Sequence, residues 1–244
     1  MRIVLNGTKK ILALSSSKAG SEAYLETAIP LIKDFLGTEK LNIAFIPFAS
    51  VENDFENYLL NVSSALASLQ HTFNLVTYEN ALNIIKQSDV IMVGGGNTFK
   101  LLHDIYETKL LDAIRDKVNA GTPYIGWSAG SNITCPSIGT TNDMPIIEPQ
   151  SFNALGLLPF QINPHYINQK PEGHNGETRD QRLKEFMKMN PGISVIGLPE
   201  GTALLLENKR LQFIGAVNSI LFYDKESEIT VRQILPGTDI SYLL

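Results

Sequence analysis

Gly126-Trp127-Ser128-Ala129-Gly130 sets a serine between two glycines in the pattern G-x-S-x-G. It follows an apolar run and precedes a segment able to open a helix, the strand–turn–helix setting in which such a serine becomes a nucleophile. The glycines allow a tight turn that lifts the hydroxyl clear of the backbone, and N–H groups beyond it can meet a developing oxyanion. A glycine-rich turn without chemistry is the competing reading. Val93-Gly94-Gly95-Gly96-Asn97 also ends an apolar run and leads into a helical pattern over 98–106. Phe99 stands where a dinucleotide fingerprint needs glycine, and no Walker lysine follows, so no nucleotide cofactor is expected. A loop of oxyanion donors beside the serine fits, because both segments would leave the same end of a parallel sheet. Taken alone, the triple glycine reads equally well as a structural turn.

A serine nucleophile needs a base. Of the four histidines, His71 opens a predicted strand and His103 falls on a polar helix face, so both read as structural or solvated. His174 lies in a Gly/Asn-rich loop that gives it no defined role. His165 ends an apolar run in Asn163-Pro164-His165-Tyr166, where the proline restrains its approach, and it is the best candidate base for Ser128. An acid that orients the imidazole is sought next. Glu200, in Leu198-Pro199-Glu200-Gly201, and Asp143, in Thr140-Thr141-Asn142-Asp143, both qualify, although either could be a turn carboxylate capping backbone N–H groups. The strand-end position of Glu200 favours it for presenting a carboxylate rigidly, which leaves Asp143 as a supporting or substrate-site residue. Arg179 and Arg182 follow Thr178, which with Gln181 makes a capping box for a helix ending near Asn190. Cations in a first turn oppose the helix dipole, as suits a place where an anion must be held. On sequence alone, a surface pair with Glu177 or Asp180 is the preferred reading.

These residues need strands to hold them. Short, β-branched apolar runs at Ile11–Leu14, 41–48, 73–78, Val90–Val93 and Tyr124–Trp127 read as strands buried on both faces. Between them run helical stripes: Leu25, Ala28, Ile29, Ile32 and Phe35 before Gly37; Phe55, Leu59, Val62, Leu66 and Leu69; and Leu111, Ile114 and Val118 before Gly121. Pro30 within the first stripe predicts a kink or one lost backbone bond. This alternation predicts an α/β fold, a mostly parallel sheet with helices on both faces. After about residue 201 the pattern turns antiparallel: 202–207 and 211–214 flank a turn at Asn208-Lys209-Arg210, and 222–224 and 229–234 read as short strands at a sheet edge. No repeat or linker breaks residues 1–244, so one domain is expected.

The net charge of −5 is spread along the chain, with no basic block. Neither nucleic acid nor a membrane surface is expected as a partner, and an acidic substrate would need a local cation. Cys135 is the only cysteine, no apolar run reaches membrane length, and no signal-peptide pattern opens the chain, so a cytoplasmic setting is expected. No Cys/His/Asp cluster has zinc spacing, and no metal or other cofactor is expected. Oligomeric state is not legible; a monomer is compatible with the sequence.

Seven segments in matching order resemble the peptidase E family of α-aspartyl dipeptidases. They are Ile91-Met92-Val93-Gly94-Gly95-Gly96-Asn97-Thr98-Phe99, the elbow from Tyr124 to Gly130, Thr140 to Pro145, Gln161 to His165, Pro171-Glu172-Gly173-His174, Gly176-Glu177-Thr178-Arg179, and Val195 to Gly201. The similarity runs from about Ile11 to Gly201 and thins in the C-terminal strands, and the first few residues look like an extension. The resemblance implies a sheet like that of class I glutamine amidotransferases, with serine in place of their nucleophilic cysteine. It implies Ser128 as nucleophile, His165 as general base, Glu200 or Asp143 as orienting acid, and Gly96 and Ala129 as oxyanion donors. It also implies Arg179 as partner of a substrate aspartate carboxylate, reversing the surface-pair reading, with Asn97 beside it in substrate binding. Ser131 stands where alanine is expected in such proteins. The implied activity is hydrolysis of Asp-X dipeptides through an acyl-enzyme. A cyanophycinase-like cleavage of β-aspartyl-arginine linkages is the nearest alternative. An α/β-hydrolase esterase is disfavoured, because only fifteen residues separate Ser128 from Asp143 and twenty-two separate Asp143 from His165. A catalytically silent peptide-binding protein is the reading from a different class.

Overall fold

The computed structural model describes residues 8–169, 173, 175–226 and 228–244. The N-terminal extension, Pro171, Glu172 and His174 lie outside the described residues. The main sheet has seven strands. In chain order these are β1 (Ile11–Leu14), β2 (Asn42–Ile46), β3 (Thr72–Leu75), β4 (Val90–Val93), β5 (Tyr124–Trp127), β8 (Ala203–Glu207) and β9 (Arg210–Ile214). They lie in the spatial order β3-β2-β4-β5-β1-β8-β9. The first five are mutually parallel, while β8 and β9 add antiparallel at one edge. β1, β4 and β5 are buried along their whole length, as strands covered by helices on both faces must be.

The helices that cover them follow the apolar stripes. They are α1 (Ala28–Leu36), α2 (Phe55–Ala65), α3 (Ala81–Gln87), α4 (Thr98–Glu107) and α5 (Leu110–Asn119), with the single-turn α6 (Ala129–Asn132) directly after β5. β3 ends at Leu75 and α2 at Ala65, both short of the expected 78 and Leu69, and two further boundaries differ for identifiable reasons. α1 begins at Ala28, so Pro30 sits in its first turn, where an N–H has no intrahelical partner to lose and no kink is needed. β2 ends at Ile46 because Pro47 has no N–H to continue a ladder. The helix α3 carries too short a stripe to stand out in the sequence.

The C-terminal antiparallel pairs, β8 with β9 and Ser219–Lys225 with Glu228–Ile234, are present, divided between two sheets. The later strands do not all border one sheet. A second sheet has the order β11-β10-β7-β6, built from β6 (Gln161–Pro164), β7 (Val195–Leu198), β10 (Ser219–Lys225) and β11 (Glu228–Ile234). β6 and β7 are parallel, with helix α7 (Arg179–Met189) between them in sequence, and β10 joins β7 antiparallel. One buried apolar cluster contains Ile11, Ala44 and Val93 of the main sheet together with Ile162, Ile196 and Leu221 of the second. The two sheets therefore share a core, and the ends of β5, β6 and β7 meet where that core reaches the surface.

Candidate active site

Ser128 leaves β5 with φ 53° and ψ −113°, a backbone conformation that a residue with a Cβ rarely adopts. The turn is held by close packing. A Cβ at Gly126 would lie 2.4 Å from the carbonyl oxygen of Gly130, and one at Gly130 would lie 2.3 Å from that of Val93. The nucleophile-elbow spacing thus has a steric cause, because neither glycine position has room for a side chain. Ser131, which stands where the resemblance implies alanine, is fully buried and donates to the carbonyls of Leu14 and Gly126 at 2.6 and 2.8 Å. It ties the elbow to β1 and β5 from beneath and presents nothing to a ligand.

His165 follows β6, and Glu200 follows β7 after Pro199. The hydroxyl of Ser128 lies 2.9 Å from Nε2 of His165, and Nδ1 of His165 lies 2.7 Å from Oε1 of Glu200. A carboxylate can only accept, so Nδ1 carries the proton and Nε2 is left as acceptor for the serine hydroxyl. That tautomer is the one a general base requires. The imidazole is 40% exposed and the Glu200 side chain 52%, so the relay is open to an incoming molecule at its outer edge.

Asp143 stands elsewhere. Its Oδ2 accepts from the backbone N–H of Thr98 at 2.7 Å, the Thr98 hydroxyl at 2.6 Å and the Thr141 hydroxyl at 3.1 Å. It is bound to the N-terminus of α4, where a carboxylate meets orphan N–H groups and the positive end of the helix. Among the described residues it makes no hydrogen bond to His165. Asn97 caps the same helix, its Oδ1 accepting from the N–H of Lys100 and its Nδ2 donating to the carbonyl of Met144. One Nδ2 hydrogen of Asn97 is left for any ligand.

The triple-glycine loop lies against Ser128. A Cβ at Gly95 would come within 3.0 Å of the Ser128 Cβ, and one at Gly96 would come within 2.2 Å of the carbonyl oxygen of Ala49. Gly96, at φ +139°, also uses backbone freedom that other residues lack. Gly95 therefore lies against Ser128, Gly96 lines the same cleft, and Ala129 follows Ser128 as the first residue of α6. β4 and β5 are adjacent parallel strands, and both loops leave their C-terminal ends.

Arg179 opens α7 behind the predicted capping box of Thr178 and Gln181. It does not form the surface pair suggested by sequence. Glu177 lies 3.8 Å from Arg182, and Asp180 accepts from the Tyr166 hydroxyl. Arg179 instead donates to Oδ1 of Asn163 at 3.3 Å, and among the described residues it has no carboxylate partner. Partial burial, then the neighbouring Arg182 charge, lower its pKa from the usual guanidinium value. A half-buried cation beside another cation is a ready receptor for an anion. His71 accepts at Nδ1 from the N–H of Leu41 beside β3, and His103 faces Asp104 on α4; neither is bonded to the relay.

One residue of this framework escaped the sequence reading. Ser15, at the end of β1, donates to the carbonyl of Leu198 at 2.7 Å and accepts from the N–H of His165 at 3.0 Å. It pins the ends of β6 and β7 to the main sheet and so sets where the imidazole stands. The only sequence signal was a serine directly after an apolar strand, which is too common to single out.

A cleft of about 640 Å³ opens over Ser128 and His165, with Gly95, Gly96, Lys18 and Tyr24 in its walls. Its position at the C-terminal ends of β1, β4 and β5 is the usual place for a ligand site in a parallel sheet. The model of peptidase family S51 matches residues 11–214. The chain is 48% identical to peptidase E of Nostoc sp. over 238 residues, covering 97% of each protein. It is 47% identical to peptidase E of Shewanella baltica, covering 97% of this chain and 99% of that one. A solved structure from Listeria monocytogenes superposes with a TM-score of 0.67 at 25% identity, covering 86% of this chain and all of the other. A peptidase from an acI-B1 actinobacterium gives the same TM-score at 20% identity and shows the fold alone. Because the matched segment spans the elbow, the glycine loop, the imidazole and both carboxylates, the chain is a peptidase and belongs to peptidase family S51.

Proposed function

We propose that this peptidase is a serine exopeptidase that removes N-terminal aspartate from Asp-X dipeptides. The observation that carries this reading is the relay from the Ser128 hydroxyl through His165 to Glu200, at 2.9 and 2.7 Å. His165 Nε2 takes the hydroxyl proton as Ser128 Oγ bonds to the aspartyl carbonyl carbon. The oxyanion is met by the N–H groups of Gly96 and Ala129, donors of a kind worth about 3 kcal/mol each. The C–N bond then breaks, and the proton held at Nε2 passes to the departing amine. Water attacks the aspartyl ester, giving its proton to His165, which returns it to Ser128 Oγ as aspartate leaves. Glu200 holds the imidazole tautomer and balances the imidazolium charge throughout.

Arg179 selects aspartate by pairing with its side-chain carboxylate, since the net charge of −5 gives no general attraction for an acidic substrate. Its neighbour Asn163 supplies the orienting oxygen. The small peptide is the partner this site is built for, and the cytoplasm is a setting that suits an unpaired, buried Cys135. Among the described residues no helix is long and apolar enough to cross a membrane.

The test is a panel of Asp-Leu, Asn-Leu and Glu-Leu dipeptides with cyanophycin as a further substrate. Asp-Leu should be preferred, and Arg179→Met should lower its kcat/KM by about 30-fold or more, the cost of leaving one member of a charge pair unmatched. Asn-Leu turnover should change much less. Equal losses on both substrates would make Arg179 structural, and preferential cleavage of cyanophycin would move the enzyme to the β-aspartyl-arginine class. Ser128→Ala should fold normally and keep less than about a tenth of parental kcat.

A further inference from the structure

We propose that Lys18 is the specificity residue for the leaving half of the substrate, receiving the free C-terminal carboxylate of the dipeptide; this rests on the Asp-X reading above. The cleft has two ends relative to the scissile bond. The departing amine must take its proton from His165 Nε2, so the leaving residue lies on the imidazole's side of Ser128. That side is the open cleft lined by His165, Ser128, Lys18 and Tyr24. Arg179 does not line it, and neither does Asn163, to which its guanidinium donates at 3.3 Å. The two cations therefore stand at separate places and can serve different ends of a short substrate.

Lys18 is exposed in the cleft wall, and among the described residues its ammonium makes neither an ion pair nor a hydrogen bond. Its backbone is nevertheless fixed. The Ser16 hydroxyl donates to the carbonyl of Lys18 at 2.6 Å and accepts from the N–H of Gly201 at 3.4 Å, while the N–H of Leu25 donates to the carbonyl of Ser17 at 2.7 Å. The lysine thus springs from a loop braced against the turn that carries Glu200, with only its side chain free to adjust.

Tyr24 stands in the same wall, its hydroxyl shielded from solvent beside Tyr58, which donates to the carbonyl of Gly95 at 3.0 Å. No Asp or Glu is among the described residues that line the cleft, so the ammonium of Lys18 has no competing anion there. An ammonium without an acceptor, in one cleft beside the leaving-group position, matches a carboxylate. A blocked or extended C-terminus would offer the lysine no charge, so the same residue explains a restriction to dipeptides.

The experiment compares Asp-Leu with Asp-Leu amide in the parent enzyme, Lys18→Met and Lys18→Arg. The parent should prefer the free acid. Lys18→Met should lower kcat/KM for Asp-Leu about three- to fivefold, the worth of a largely exposed charge pair, and change the amide by less than about twofold. Lys18→Arg should restore most of the preference. An equal rate on acid and amide in the parent, or equal losses on both in Lys18→Met, overturns the inference and leaves the Asp-X reading standing. Absence of Asp-Leu hydrolysis in the parent overturns that reading, and the inference with it.

Discussion

Glu200 and Asp143 are both carboxylates beside the nucleophile's loops, yet the structure gives them different work. Glu200 lies 2.7 Å from the imidazole and Asp143 binds the first N–H of α4. The consequences separate cleanly. Glu200→Gln should lower kcat by about 100-fold or more, because an amide at Oε1 can donate to Nδ1 and favour the wrong tautomer. Its half-exposed position means the melting temperature should not move. Asp143→Ala should lose a helix cap, costing about 1–2 kcal/mol or roughly 3–6 °C in melting temperature. Any fall in its turnover would come through the displaced glycine loop. Thermal melts of the two variants check this, and an unchanged melting temperature in Asp143→Ala would remove the capping account. The sequence narrowed the acid to these two residues and favoured Glu200 because Pro199 and Gly201 fix its backbone at a strand end. It could not show that Thr98, forty-five positions earlier, had already claimed Asp143. Arg179 shows the same limit, since Glu177 and Asp180 were near in sequence but had other partners in space.

At the scale of elements, the site joins two sheets. Ser128 follows β5 of the main sheet, and His165 and Glu200 follow the ends of β6 and β7 in the second. Each parallel strand was legible as a short apolar run, and so were most helices, because local periodicity is enough to reveal them. The second sheet was not, because which strands pair is set by packing between distant segments. The runs ending at His165 and Glu200 look no different from those of the main sheet. What holds the two sheets in register at the site is Ser15, whose hydroxyl bridges Leu198 O and His165 N. Ser15→Ala should leave that carbonyl and that N–H without the bridge, a loss of about 1–3 kcal/mol in stability. It should also lower kcat by allowing His165 to drift from Ser128. Denaturant unfolding together with steady-state kinetics tests both expectations, and Ser15→Thr should recover part of each. Full activity in Ser15→Ala would show that β6 and β7 are positioned by the shared core alone.

At the scale of the whole molecule, the core that joins the sheets also buries acids that lose protons only at high pH. Tyr124 and Cys135 are fully buried in the shared cluster. Burial, and then the neighbouring Cys135, raise the Tyr124 phenol well above its usual value, and burial pushes the Cys135 thiol up to about 12. Burial raises Tyr24 and Tyr58 beside the cleft as well. Each of these groups has a higher pKa folded than unfolded. The unfolded chain therefore gives up its protons first as pH rises, and the native state loses ground. The stability these groups contribute should be complete below about pH 7.5, where unfolded cysteine and tyrosine are still protonated, and should fall as pH rises through about 8.5 for cysteine and about 10 for tyrosine. Lys9 and Lys117, lowered by partial burial, act in the opposite sense. Both remain partly open to water, so the fully buried groups should dominate. Melting temperatures measured from about pH 8 to about pH 11 should decline, and phenolate absorbance should show some of the eight tyrosines ionising only as the protein unfolds. Alkylation of Cys135 in the native protein should be negligible at about pH 8 and become rapid in denaturant, since the thiolate is the reactive form. All tyrosines titrating together near pH 10 without loss of structure would show that the core admits water at Tyr124, and the account of the joint between the sheets as a closed apolar core would fail with it.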